Sequence, residues 1–264
     1  MKYLVYIAVN LFFVFASYVP GSGFGTTPGA YHQAQEKSSD SAQAKKILQS
    51  AIAAMGGLEK VGKIRSFRIK TQNTLSLTQK DLLLIVTETV LLPDRTKQVM
   101  ELPAGVRTQV LNGNRGWRQI GGSVSDLSAT EQREMQRGLF RDTIHLYQMG
   151  EAGQLKLEYY GEEVLGGKRL LVLHISTDRG DYLNLYIDSQ TFLPAKKTYQ
   201  GSVEVGLATL EESYSDYRDV DGIKVPFHTL VKANGKKFIE SKVIEANFNV
   251  KIAPEFFLKS YAKP

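Results

Sequence analysis

From Tyr182 to Ala233 the chain carries three strand-like segments in succession, joined by turns, with no cluster of side chains fit for chemistry. The segment Asp216 to His228, DYRDVDGIKVPFH, sets Asp221-Gly222 between two alternating runs. Asp-Gly readily supplies the two positive-φ positions of a tight hairpin turn, so it commits the flanking runs to antiparallel pairing. Alternate side chains of a strand share a face, which groups Leu183, Leu185 and Ile187, then Ile223, Val225 and Phe227, against Asn184 and Lys224 on the other side. One face of such a sheet is apolar and needs a cover.

The same period runs through most of the chain. It starts at Ser66 with Phe67 and Ile69, continues through Leu82 to Leu92 and Thr96 to Leu102, and turns at Pro93-Asp94. Arg107 to Leu111 and Trp117 to Ile120 flank Asn112-Gly-Asn-Arg-Gly116, another hairpin signature. After the 121–150 stretch, strands resume at Leu155, Lys168, Tyr182, Ala195, Leu207, Ile223 and Phe238, the last pair joined by Asn234-Gly235. About eleven strands with short connections predict an antiparallel meander, mainly β with helices, rather than a parallel α/β sheet.

Two segments read as helical. Asp40 or Ser41 can cap the first, whose Ile47, Leu48, Ala51, Ile52 and Met55 repeat at helical spacing until Gly56-Gly57. Ser128-x-x-Glu131 is a capping box, and Met135, Leu139, Phe140, Ile144 and Tyr147 form one stripe over about five turns before Gly150. Gly138 costs that helix about 1 kcal/mol against Ala and is a candidate bend, while Arg133, Arg137 and Arg141 are expected to point outward.

The N-terminus has a different character. Met1 to Tyr3 is basic, and Leu4 to Val19 is nearly all apolar before Pro20-Gly21, a run of about 16 residues against the ~20 a membrane span needs. This reads as a secretory signal peptide within residues 1–30, cleaved between about 16 and 30, followed by a flexible leader over 31–40 and one domain over 41–264. Absence of cysteine excludes disulfides, thiolate metal sites and a lipidated cysteine. The formal charge of +6 is spread along the chain; the densest cluster, Lys232, Lys236, Lys237 and Lys242, is interleaved with Glu240 and Glu245, so no nucleic-acid partner is expected.

Catalytic and metal motifs fail on inspection. The four His residues show no ligand spacing, and Asp219-x-Asp221-Gly222 mimics a calcium loop only until Tyr217 and His228 occupy its first and last ligand positions. Glu162 and Glu163 are adjacent on a strand and point to opposite faces, so they cannot cooperate as acid and base. No enzyme, metal or cofactor is predicted.

Hydrophobic shape remains. Two helices are too few to pack densely over ten or more strands, so the sheet either closes into a filled barrel or stays open with the helices lidding a cavity. The lidded form predicts an apolar cavity of several hundred Å3 with few charges. Its candidate lining is Trp117, Met135, Leu139, Phe140, Ile144, Tyr147, Leu183, Leu185, Ile187, Val225 and Phe227.

Four segments in order resemble the LolA/LolB-like superfamily, in its divergent outer-membrane lipoprotein-sorting branch: Leu111 to Trp117 (LNGNRGW), Tyr160 to Gly167 (YGEEVLGG), Leu185 to Pro194 (LYIDSQTFLP) and Tyr214 to Pro226 (YSDYRDVDGIKVP). The resemblance implies an unclosed antiparallel half-barrel of about eleven strands under a helical lid, whose interior receives acyl chains without cofactor or catalysis. It implies a monomeric periplasmic carrier that meets membrane donor and acceptor proteins. Its alternative is a periplasmic lipoprotein sensor, since superfamily members include such regulators; a lipid hydrolase lacks a nucleophile and base. LolA-type carriers also place a lid-holding Arg before a strand-end Pro. Here Leu92 precedes Pro93, with Arg95 two residues later.

Overall fold

A computed structural model describes residues 33–77, 81–203 and 206–259; the signal-peptide expectation for residues 1–30 lies outside them. No helix among the described residues is long and apolar enough to cross a membrane. The chain opens with α1 (Gln33–Met55) and α2 (Leu58–Val61). A meander follows: β1 (Ser66–Ser76), β2 (Asp81–Leu91), β3 (Arg95–Leu102), β4 (Gly105–Asn112), β5 (Arg115–Ile120) and β6 (Ser123–Asp126). After α3 (Ala129–Arg141) and α4 (Thr143–Glu151) a second meander runs through β7 (Lys156–Leu165), β8 (Lys168–Ser176), β9 (Tyr182–Asp188), β10 (Pro194–Val203), β11 (Gly206–Val220), β12 (Ile223–Ala233) and β13 (Lys236–Phe248).

All thirteen strands form one antiparallel sheet in the order β6-β5-β4-β3-β2-β1-β13-β12-β11-β10-β9-β8-β7. The first and last strands therefore meet in mid-sheet, Phe67 opposite Phe248 and Asn73 opposite Ser241. The two free edges, β6 and β7, are consecutive strands joined by α3 and α4. That connection carries the helices across the open side, giving an unclosed half-barrel with a helical lid.

Turn chemistry sets the hairpins. Asp221-Gly222 and Asn234-Gly235 hold φ of 54° and 80°, and 48° and 79°, the paired positive values of a tight hairpin turn. Asp219 accepts the Gly222 N–H at 2.8 Å, a turn role for one of the carboxylates of the calcium-like motif. Gly56, at φ 142°, ends α1 against that turn; a Cβ there would stand 2.4 Å from the Gly222 carbonyl oxygen.

Three expectations change. The helix begins at Gln33, ahead of Asp40, so most of the expected leader is helical; Gln33 to Lys37 is Gln, Ala, Gln, Glu, Lys, all strong helix formers. The sheet has thirteen strands rather than about eleven, and Ser123–Asp126, short and without apolar alternation, carries no periodic signal. The second helix is two, broken at Asp142 rather than bent at Gly138. Asp142 sits at φ −62° and ψ 131°, and its carboxylate accepts the His145 N–H at 2.9 Å, so it ends α3 and caps α4.

Packing divides between the two faces. On the inner face, Leu173 lies opposite Leu185 and Ile175 opposite Leu183, all at most 1 % exposed, in one core with Leu48, Ala51 and Ile52 of α1. On the outer face Trp117, paired with Val110, packs against Phe257 and donates its indole N–H to the Phe257 carbonyl at 3.1 Å.

Candidate functional site

The inner face over β10 to β13, β1 and β2 is not filled. A cavity of about 190 Å3 lies there, bounded by the sheet, by Met55 at the end of α1, and by Arg141, Asp142, Thr143 and Ile144 at the α3–α4 break. Period-two alternation aims its wall: Phe67, Ile69 and Thr71 from β1, Val86 and Glu88 from β2, Leu210, Glu212 and Tyr214 from β11. Asp216, at φ 54°, and Phe227 opposite it interrupt the β11–β12 ladder without shifting its register, and Tyr217 just beyond lines the cavity as well.

The cavity is smaller than expected and far more charged. Five acidic or basic residues line it: Glu88, Arg141, Asp142, Lys197 and Glu212. Four of them gather where the lid break meets β10 and β11. Glu212 takes the hydroxyls of Tyr199 at 2.5 Å and Tyr214 at 2.6 Å, and the Lys197 ammonium at 3.2 Å. Burial opposes the Glu212 charge, but Lys197 and the two phenols outweigh it and hold its pKa below the ordinary value. Burial and the Glu212 charge push both phenols well above theirs. Asp142 moves the opposite way to Glu212: burial raises it despite the His145 N–H and Lys197.

Arg141 faces inward, against expectation. Its side chain is 3 % exposed, its guanidinium lies 4.3 Å from the centroid of the Tyr199 ring and 3.7 Å from Glu134, and burial lowers its pKa. The aromatic face and the carboxylate compensate the charge that solvent would otherwise hold. Arg133 and Arg137 stay partly exposed and converge on Asp181, Arg133 at 2.7 and 2.8 Å and Arg137 at 3.1 Å. Glu131 pairs with Arg118, Glu134 with Arg137, and Lys197 donates to the Arg141 carbonyl at 2.8 Å. Polar contacts from β5, the β8–β9 connection and β10 therefore hold α3. Leu92 is a partly buried core residue, and Arg95 pairs with Asp94 at 3.8 Å.

Of the expected lining, Ile144 and Val225 border the cavity. Met135, Leu139, Phe140, Tyr147, Leu183, Leu185 and Ile187 are buried in the main core beside it. Phe227 is half-buried beneath the Arg218 guanidinium, 4.5 Å from its ring centroid, and Trp117 sits on the opposite face of the sheet. Sequence reasoning missed Phe67, Tyr199, Tyr214, Phe238 and Phe248, which carry the same alternation as the residues it chose. The Lys197, Tyr199 and Glu212 grouping needs the β10–β11 register to bring it together, Lys197 pairing with Glu212 across the strands.

No protein-family model and no curated protein matches the sequence. Solved structures do match in fold. A LolA superfamily protein from Nitrosomonas europaea superposes with a TM-score of 0.58 at 14 % identity, over 83 % of this chain and 99 % of that one. A DUF1329 family protein from Desulfovibrio piger gives 0.58 at 12 % identity, over 81 % and 96 %. A domain from Vibrio parahaemolyticus, described as that of an outer membrane lipoprotein-sorting protein, gives 0.53 at 12 % identity, over 83 % and 97 %. The chain has a LolA-like fold, as the four sequence segments implied.

Proposed function

We propose that this protein is a periplasmic carrier that shelters the acyl chain of a lipid or lipoprotein, in outer-membrane lipoprotein sorting or a related transfer. The observation that carries the reading is a cavity on the inner face of a LolA-like sheet, under a helix pair whose apolar stripe packs into the core and whose α3 is also tied by ion pairs. Exposing a 16-carbon chain to water costs on the order of 12 kcal/mol at ~0.8 per methylene, so transit through an aqueous compartment needs such a shelter. At about 190 Å3 the cavity is below the ~300–1,000 Å3 of ordinary ligand sites, so a long chain enters as α3 and α4 move outward. Ion pairs with partly exposed partners are weak holds, which suits a lid that must open. The proposal assigns no catalytic step, and it places the protein in the periplasm on the strength of the apolar run from Leu4 to Val19.

Mass spectrometry of organic extracts from protein purified without detergent tests this. A co-purifying acyl-bearing lipid near one per chain is the expected result. Extracts with no such lipid, together with no uptake of laurate or a fluorescent acyl probe by the purified protein, would overturn it.

A further inference from the structure

Resting on the carrier reading, we infer that the cavity takes its ligand head first, seating an anionic headgroup, a carboxylate or a phosphate, beside Lys197 and Arg141 under the lid break. The cavity is asymmetric in a way that a simple acyl slot would not need. In strand order its β10–β11 end holds Lys197, Tyr199, Glu212 and Tyr214, roofed by Arg141 and Asp142. Its β13–β1–β2 end is walled by Phe67, Ile69, Val86, Phe238, Val243 and Phe248, with Glu88 the one ionisable lining residue on those three strands among the described residues. A ligand that matches both ends has a charged or polar head and an apolar tail.

The sign of the head follows from which hydrogen-bonding capacity is already used. Glu212 is engaged on both oxygens, by Tyr199 on one and by Tyr214 and Lys197 on the other. Glu88 accepts from Thr96 and from Gln98, each at 3.0 Å, and Asp142 accepts the His145 N–H while burial favours its neutral form. The carboxylates therefore offer little to a cationic head. Lys197 has three ammonium protons, and among the described residues it meets two acceptors, the Arg141 carbonyl at 2.8 Å and Glu212 at 3.2 Å. Beyond these it has the ring faces of Tyr199 and Tyr214, at 5.7 and 5.9 Å. The unused capacity at this end is a buried cationic donor. The Arg141 guanidinium, over the same Tyr199 ring at 4.3 Å, adds a second positive charge beside it. An anionic oxygen is the group that completes such a site, by charge-assisted hydrogen bonds in a water-poor pocket.

The test compares laurate with methyl laurate, equal in chain and different in head, by displacement of N-phenylnaphthylamine at neutral pH. The wild-type protein should bind laurate about tenfold or more tightly than its ester, the effect of a hydrogen bond to a charged group. In the double variant Lys197→Met, Glu212→Gln, which removes both charges of the pair and leaves neither buried alone, the two ligands should bind within about threefold of each other. Equal binding of acid and ester by the wild type would overturn the headgroup site while leaving the carrier reading intact. So would an unchanged preference in a folded double variant. Displacement of laurate by acetate or inorganic phosphate alone at matching concentration would overturn it too, marking a free small-anion site. Failure of the wild type to bind either lauryl ligand defeats the carrier reading itself.

Discussion

One sheet face carries two interiors. Over β8 and β9, Leu173, Ile175, Leu183, Leu185 and Ile187 pack to at most 1 % exposure in the core shared with α1. Over β10 to β13, β1 and β2, the same alternation of apolar and polar side chains surrounds a cavity with a charged end. The difference lies in the cover. The apolar stripe of α1, with Leu48 closing on Gly150 of α4 so tightly that a Cβ there would meet the leucine at 2.5 Å, supplies a filled lid for the first region. The second region is roofed by a helix break that turns Arg141 and Asp142 inward along with Thr143 and Ile144. An apolar strand face thus becomes core or cavity according to what crosses above it.

The largest effect that sharpens this contrast comes from the charged end. Lys197→Met leaves Glu212 buried without its cation, and should cost about 3–5 kcal/mol in urea unfolding; adding Glu212→Gln should recover most of that loss. A small effect of the single change would mean that water reaches the cluster freely. Next come truncations in the two interiors. Leu185→Ala, at 1 % exposure, should cost about 3 kcal/mol or more, because the dense half cannot collapse. Ile69→Ala, on the cavity wall, should cost about 1–2 kcal/mol, since it enlarges an existing space. Equal losses at the two sites would erase the distinction between core and cavity.

Smaller effects lie on the outer face. Hydrogen bonds from Lys237 and His228 hold the Glu240 carboxyl down at about 2, against an ordinary 4.5. A depressed carboxyl stabilises the fold above its unfolded pKa and loses that contribution as pH falls through its folded pKa. Glu240→Gln should therefore flatten the acid limb of the stability profile between about pH 4.5 and 2 without touching ligand binding. The smallest signal is optical. Trp117, the single tryptophan, faces away from the cavity, so laurate should leave its emission essentially unchanged, whereas Phe238→Trp on the cavity wall should respond.

The strand alternation and the Asp-Gly and Asn-Gly turns made the sheet legible, because backbone period and turn geometry are local properties. Ser123–Asp126 was not: Ser, Val, Ser and Asp, with one apolar residue among four, pair as a strand along the edge that β5 offers. The break at Asp142 has a local cause, capping chemistry that outweighed a continuous apolar stripe. The site was read only in part. Ile144 and Val225 border the cavity, but nothing in the sequence separates Leu185, which meets α1's core, from Tyr199, which meets open space. Arg141 looked solvent-bound by its charge, and the Tyr199 face, Glu134 and the Gln200 carbonyl beside it account for its burial. Trp117 was misplaced for a simpler reason. Its strand's polarity does not say which face is inner, and the C-terminal Phe257 covers it from outside.

The central claim, that ligand lodges in the second interior and not the first, is tested most directly by photolabelling. Protein loaded with a fatty acid bearing a mid-chain diazirine, irradiated and digested, should carry label on peptides from Ser66–Ser76, Gly206–Val220, Ile223–Ala233 and Lys236–Phe248, whose side chains wall the cavity. Label concentrated on Lys168–Ser176 and Tyr182–Asp188, or none above that of a heat-unfolded control, would contradict it.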